Sequence, residues 1–436
     1  MGKNHISNQK RFCYSITVMK TRAYLLLVVL FLIYIGTGSS NSVLGSAWPA
    51  ISADISTPIS WQGILIVIIY GMACCGSASA KNIVLRFHSW IPAIFGISVA
   101  VIVVFVFSTA QSFLVFVVFG VAFGYIYGLV GPVVNGYIAR HYNATAMNWL
   151  HCSFAVGCMI GPSVVSYFMT NMGSWRLGYR GVGIIEICIL AILLASFPLW
   201  KIHGPTLPGR KGNLGPVLPD PLENHDPALS GREGKKRGKT NAELFRVPSG
   251  AIITLHMFAF GSFEVSIFSW TTSFLTTEKG MEPGEAAAMM AFFFGAQFSG
   301  RLISGFISMK VSDRMIVRTA LVVILGTMVA FIFAPASLMA PILVILGMSS
   351  GPVFPMLIHE VPSIVGEENA QGVIGLQLSA ANLGNATVPV LIGVIAGKAG
   401  FKVFPVFLIV LIILSNILKA VQDRGADKRK AAGAGE

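Results

Sequence analysis

From Tyr24 to Trp200 and again from Pro248 to Lys419 the chain is a succession of apolar stretches about 20 residues long, the length of one bilayer crossing. Lipid offers no water to backbone N–H and C=O groups, so an apolar run of this length crosses as a helix that satisfies its own hydrogen bonds. Spans are expected near 23–48, 60–85, 90–109, 112–138, 146–171 and 179–200, then near 248–275, 284–308, 314–334, 338–360, 370–396 and 401–420. The polar turn from Ser108 to Ser112 divides 90–138 into two of them. The first run, Tyr24 to Trp48, is too long for a signal-peptide core and reads as a retained span.

Composition agrees with lipid as the main solvent. Of 436 residues only 11% are charged, where soluble chains keep roughly 25%. Basic residues outnumber acidic ones, 31 to 18, but they sit in short clusters between apolar runs, so nucleic-acid binding is not expected. With the N-terminus inside, about 25 Lys and Arg fall on inner segments and about five, Arg176, Arg180, Lys279, Lys398 and Lys402, on outer ones. That asymmetry predicts both termini in the cytoplasm, and the expected location is the plasma membrane, crossed many times. Five of the six cysteines lie in apolar runs without metal-ligand spacing and read as small fillers rather than disulfide partners.

Segment 201–247 is different material. It is rich in Gly, Pro and Lys, includes Gly234-Lys235-Lys236-Arg237-Gly238-Lys239, and reads as a disordered cytoplasmic linker resting on anionic headgroups. The expected organisation is a cytoplasmic segment 1–22, a six-helix bundle 23–200, the linker 201–247, a second six-helix bundle 248–420 and a cytoplasmic tail 421–436.

The two halves repeat. Tyr70-Gly71 with Gly76 parallels Phe294-Gly295 with Gly300, and Gly131-Pro132-Val133 parallels Gly351-Pro352-Val353. Gly157 with Pro162 parallels Gly384 with Pro389, and Gly38-Ser39 with Asn41 parallels Gly261-Ser262 with Glu264. Each match joins a span to the one six places later. Four matches at nearly one offset predict two bundles related by a two-fold pseudo-axis along the membrane normal, with a cavity between them.

Several of these segments resemble one family. Asn135-Gly136-Tyr137 through Met147-Asn148-Trp149-Leu150-His151 to Gly161-Pro162 looks like the span four–five signature of fucose-permease-like sugar transporters, a branch of the major facilitator superfamily. Gly261-Ser262-Phe263-Glu264 with Trp270, Gly300-Arg301-Leu302-Ile303-Ser304-Gly305, and Gly351 to Pro355 resemble its motifs in spans seven, eight and ten. The resemblance implies an all-α membrane protein of major-facilitator type, with twelve helices in two pseudo-symmetric bundles. It further implies rocker-switch alternating access and proton-coupled sugar uptake. One position departs: the family pattern often has an acidic residue four places before the span-four Asn, and here that place is Gly131.

Polar side chains inside hydrocarbon are functional candidates by default, since each costs on the order of 3 kcal/mol or more. Glu264, placed slightly outside the midplane of span seven, is a candidate for substrate binding and proton exchange, because burial favours the neutral carboxyl. Asn41, Gln297 and Asn382 offer amides to hydroxyl groups, and Trp270, Tyr70 and Tyr125 offer flat apolar faces. For each, helix-to-helix bonding or plain packing is the alternative. His151 is a second proton candidate, set against a structural bond to Asn135 or Asn148. Glu186 in span six is expected to pair within the first bundle. Arg301 either binds an inner carboxyl or a substrate oxygen, or snorkels to helix carbonyls. Arg86 and Arg314 are expected to latch the halves on the inner face, with positive-inside signalling as the plain alternative.

No phosphate loop, Gly-x-Ser-x-Gly or HExxH is present, so an enzyme, a metal centre and a cofactor are not expected. The reading is a monomeric secondary transporter whose partners are the bilayer, a small polar solute such as a sugar, and a proton. An efflux carrier for amphipathic compounds, with Phe292, Phe293 and Phe294 in its cavity, and a non-transporting membrane sensor are the rivals.

Overall fold

The computed structural model describes residues 2–87, 89–142, 144–200, 241–247 and 249–433. Twelve helices are long and apolar enough to cross a membrane: Thr21–Asp54, Ile59–Ala80, Trp90–Ser108, Phe113–Ile138, Trp149–Met172, Trp175–Ala195, Gly250–Glu278, Pro283–Ile307, Asp313–Phe333, Ala336–His359, Gly372–Ala399 and Val403–Asp427. They are numbered below as spans one to twelve. Their outward faces carry exposed Leu114, Val322, Phe333 and Val394, surface that only lipid would cover at no cost. An even number of crossings returns the chain to the face from which it started.

Packing follows the repeat. Span one packs chiefly on five and two on four, while seven packs chiefly on eleven, and eight packs on ten and, across the halves, on five. The matched glycines sit at equivalent contacts. A side chain on Gly76 would strike the Tyr125 carbonyl of span four, and one on Gly300 the Met348 carbonyl of span ten. Small residues thus bring two backbones together at the same place in each half.

Helix ends differ from expectation at four places. The first helix runs from Gly2 to Asp54, because no Gly or Pro interrupts residues 3–35. The last runs on to Gly433. Within the segment read as linker, 201–240 lies outside the described residues, but Asn241–Arg246 is a helix. Its Leu244 is buried against Ile253, Val361 and Val373, so this stretch belongs to the second half. Span ten is broken into Met339–Ser350 and Val353–His359, since Pro352 and Pro355 both lack the N–H an unbroken helix needs. The corresponding Pro132 lies inside an unbroken helix, Phe113–His141.

The halves meet at the face remote from the termini. Gln62 Nε2 donates to the Ser269 carbonyl at 2.9 Å, and Ser166 Oγ donates to the Gly284 carbonyl at 2.7 Å. A side chain on Gly45 would strike the Phe268 carbonyl, and one on Gly63 would lie 3.6 Å from Val390 Cα. Both hydrogen bonds and both close approaches lie on that side. The protein is therefore closed at the remote face.

Candidate functional site

Glu264 stands fourteen residues from either end of span seven, so it lies at mid-depth rather than slightly outside it. Gln297 of span eight donates Nε2 to Glu264 Oε1 at 2.6 Å. One helical turn on, Arg301 Nη2 lies 3.6 Å from the same oxygen. Arg301 Nε also donates to the Gly351 carbonyl at 3.1 Å. In an unbroken helix that carbonyl would accept from residue 355, which is proline and has no N–H. The break in span ten thus frees the acceptor that orients Arg301, whose guanidinium meets both a carboxyl oxygen and a helix carbonyl. The result is a charge-compensated carboxylate with acceptor capacity to spare at the middle of span seven.

The first half supplies the other wall. Tyr70 packs against the core of the second half together with Ile66 and Cys158. Its hydroxyl neighbours Asn41 and lies within electrostatic reach of Glu264. Tyr127 meets Tyr70 edge-on at 6.4 Å. Tyr34 donates its hydroxyl to the Gly131 carbonyl at 3.2 Å, and its ring meets His151 at 6.1 Å and Phe154 at 6.4 Å. Where the family pattern often has a carboxylate, this protein has a bare Gly131 backbone with the Tyr34 hydroxyl 3.9 Å from the place a Cβ would take.

Asn41, Tyr70, Glu264, Gln297 and Arg301 are therefore brought together, with His151 exposed on the terminal side of the cluster. Three residues expected there are elsewhere. Trp270 is fully buried, donates Nε1 to the Pro389 carbonyl at 2.7 Å and packs on Phe401, because its side of span seven faces span eleven. Tyr125 points to Ser79, with 2.8 Å between the hydroxyls, and joins spans two and four. Asn382 is exposed and makes no hydrogen bond among the described residues. Its neighbour Asn385 instead turns its amide nitrogen to the Gly261 and Ala381 carbonyls, each at 3.0 Å. Trp270→Phe is expected to cost about 1 kcal/mol, one neutral hydrogen bond, and to leave solute affinity unchanged. Thermal unfolding in detergent beside a binding assay checks both.

Tyr34, Tyr127 and Cys158 went unrecognised at the level of sequence. A signal was available for Tyr34, which stands two helical turns before Asn41 and so shares its face. Asn135 leaves its Oδ1 buried and unpartnered. The side chain of Asn148 lies outside the described residues.

The expected latch takes another form. Arg86 is exposed and lies 5.8 Å from the Phe87 ring. Arg314 binds Asp427 at 2.5 and 2.7 Å and Asp423 at 3.3 Å, within its own half, and Asp313 binds His359. With the halves closed at the remote face, carboxylates of the same half are within its reach. Buried Lys419 completes the group by bonding Glu360 and, at 3.1 Å, Asp423. Burial pushes the Glu360 carboxyl above its ordinary range, while the Lys419 ammonium pulls it back.

The profile described as Major Facilitator Superfamily matches residues 30–389. Bypass of stop codon protein 6 of Saccharomyces cerevisiae is 23% identical over 326 residues, 70% of this chain and 64% of that protein, so the chain spans under two thirds of this relative's length. Among solved structures, a bacterial homolog of the human lysosomal transporter Spinster, in an inward-facing and unoccupied conformation, matches with a TM-score of 0.69 at 17% identity, over 93% of this chain and 98% of that one. A variant of the nucleoside transporter NupG matches with a TM-score of 0.65 at 14% identity, over 93% and 99%. At these identities the two structures attest the fold.

Proposed function

The chain belongs to the major facilitator superfamily, and from that premise we propose that it carries solutes by alternating access and that its cargo is a small neutral polyhydroxyl compound, a sugar first of all, driven by a proton gradient. The observation that carries this reading is the Glu264–Gln297–Arg301 constellation at mid-depth, with Asn41 and Tyr70 across from it. A carboxylate, two amides and a guanidinium offer paired donors and acceptors, the set that adjacent hydroxyl groups need. The charge of Glu264 is already matched by Arg301, so a neutral solute adds no uncompensated charge to the membrane interior. The motif likeness to fucose-permease-like transporters supports a sugar.

We take the termini to be cytoplasmic, a reading that the basic clusters support, and the membrane to be the plasma membrane. On that orientation the conformation described here is inward-facing. A second reading, a nucleoside-like solute, is favoured by Tyr34, Tyr70 and Tyr127, whose rings offer flat faces for a base.

Reconstitution in proteoliposomes under an imposed pH gradient, with labelled sugars and nucleosides, tests these readings. One neutral solute is expected to accumulate, and a protonophore is expected to abolish the accumulation. Extrusion of a lipophilic cation with no sugar or nucleoside taken up would turn the assignment to efflux. Binding without passage would turn it to a sensor.

A further inference from the structure

Four carboxyl groups are buried among the described residues: Glu186, Glu264, Glu360 and Asp423. Three have a cation. Arg301 lies 3.6 Å from Glu264, Lys419 bonds Glu360, and Asp423 is held by Arg318, by Arg314 at 3.3 Å and by Lys419 at 3.1 Å. Glu186 has none, although it is the most completely buried of the four. It stands near the middle of span six, eleven residues after Trp175 and nine before Ala195. An isolated carboxylate at that depth would cost several kcal/mol, so the group is held as the neutral acid.

The hydrogen bonds around it fit an acid. Ser40 Oγ has one proton and two acceptors in reach, the Gly36 carbonyl at 3.2 Å and Glu186 Oε1. If Glu186 donates its own proton to Ser40 Oγ, the serine proton is free for Gly36, and both groups are satisfied. Glu186 Oε2 has no partner and rests where Gly36 lacks a side chain, 2.9 Å from the position of a Cβ. Ser40 also lines a small crevice with Thr37, Gly96, Ala100 and Tyr127. Tyr127 in turn touches Tyr70 of the central cluster. Glu186 is therefore joined through Ser40 to a crevice whose Tyr127 wall adjoins the central cluster.

The helices around Glu186 bring no other charge to it. Span three has no titratable residue. On span one, Arg22 and Tyr24 are exposed near its start, Tyr34 is bonded to Gly131 and Asp54 to Arg176. On span five, His151, Cys152, Cys158 and Tyr167 make no contact with the carboxyl, and on span six Tyr179, Arg180 and Cys188 make none.

We propose that Glu186 is the site that binds the coupled proton, protonated in the conformation seen here and releasing it to water in the conformation that faces the other way. This rests on the proton-driven reading above. The test combines infrared spectroscopy of the reconstituted protein with transport. Wild-type protein at neutral pH is expected to show the C=O stretch of a neutral carboxylic acid. That band is expected to vanish in Glu186→Gln and to persist in Glu264→Gln. Glu186→Gln is also expected to lose gradient-driven accumulation entirely while retaining counterflow exchange. A band absent from wild-type protein or surviving Glu186→Gln, or wild-type accumulation by that variant, overturns the assignment. If wild-type protein accumulates no solute, the transport reading fails, and the infrared comparison alone decides whether Glu186 holds a proton.

Discussion

Arg301→Ala is expected to lower the stability of the folded protein by about 3 kcal/mol and to abolish solute uptake. Removing the guanidinium leaves Glu264 with only the Gln297 amide, and a half-compensated carboxylate at mid-depth is the costly state. The effect belongs at the low end of the range for broken buried pairs, because that amide remains at 2.6 Å. The Gly351 carbonyl loses its donor in the same substitution. Glu264→Ala combined with Arg301→Ala is expected to recover most of the stability and none of the transport, since no lone charge remains to be buried. Thermal unfolding in detergent, run beside uptake into proteoliposomes, separates the two effects. A double variant as unstable as Arg301→Ala would assign the loss to helix packing instead.

Gly45→Leu is expected to favour the conformation open at the remote face. Any side chain at Gly45 meets the Phe268 carbonyl of the other half, and a leucine carries four heavy atoms into space that has no room for one. Overpacking of this kind costs about 1–3 kcal/mol. Here that cost falls on the closed arrangement alone, and about 1.4 kcal/mol is tenfold in an equilibrium. The population should thus shift by roughly tenfold to a hundredfold. Spin labels at Asn171→Cys and Glu282→Cys, exposed at the remote ends of spans five and eight, should report a longer distance when Gly45→Leu is added. An unchanged distance would mean that the halves do not part along the contact between spans one and seven.

The twelve crossings and their pairing six by six were legible in the amino-acid order. Apolar length against bilayer thickness is a one-dimensional property, and a repeated Gly or Pro at a constant offset is visible without coordinates. The rotation of each helix about its axis was not. Trp270 and Glu264 are six residues apart on one span, yet one is bonded into span eleven while the other meets span eight. Apolar runs with residues of one kind on every side carry little amphipathic signal to orient them.

Charge matching lay still further out of reach. Arg301 finds its carbonyl because a proline elsewhere in the chain removed that carbonyl's partner. Sequence alone determined that this chain spans a membrane twelve times in two related halves, because hydrocarbon imposes that on any chain with such runs. Which buried acid is paired and which stands alone was decided by tertiary structure, because compensation depends on distances of a few ångströms between helices remote in sequence.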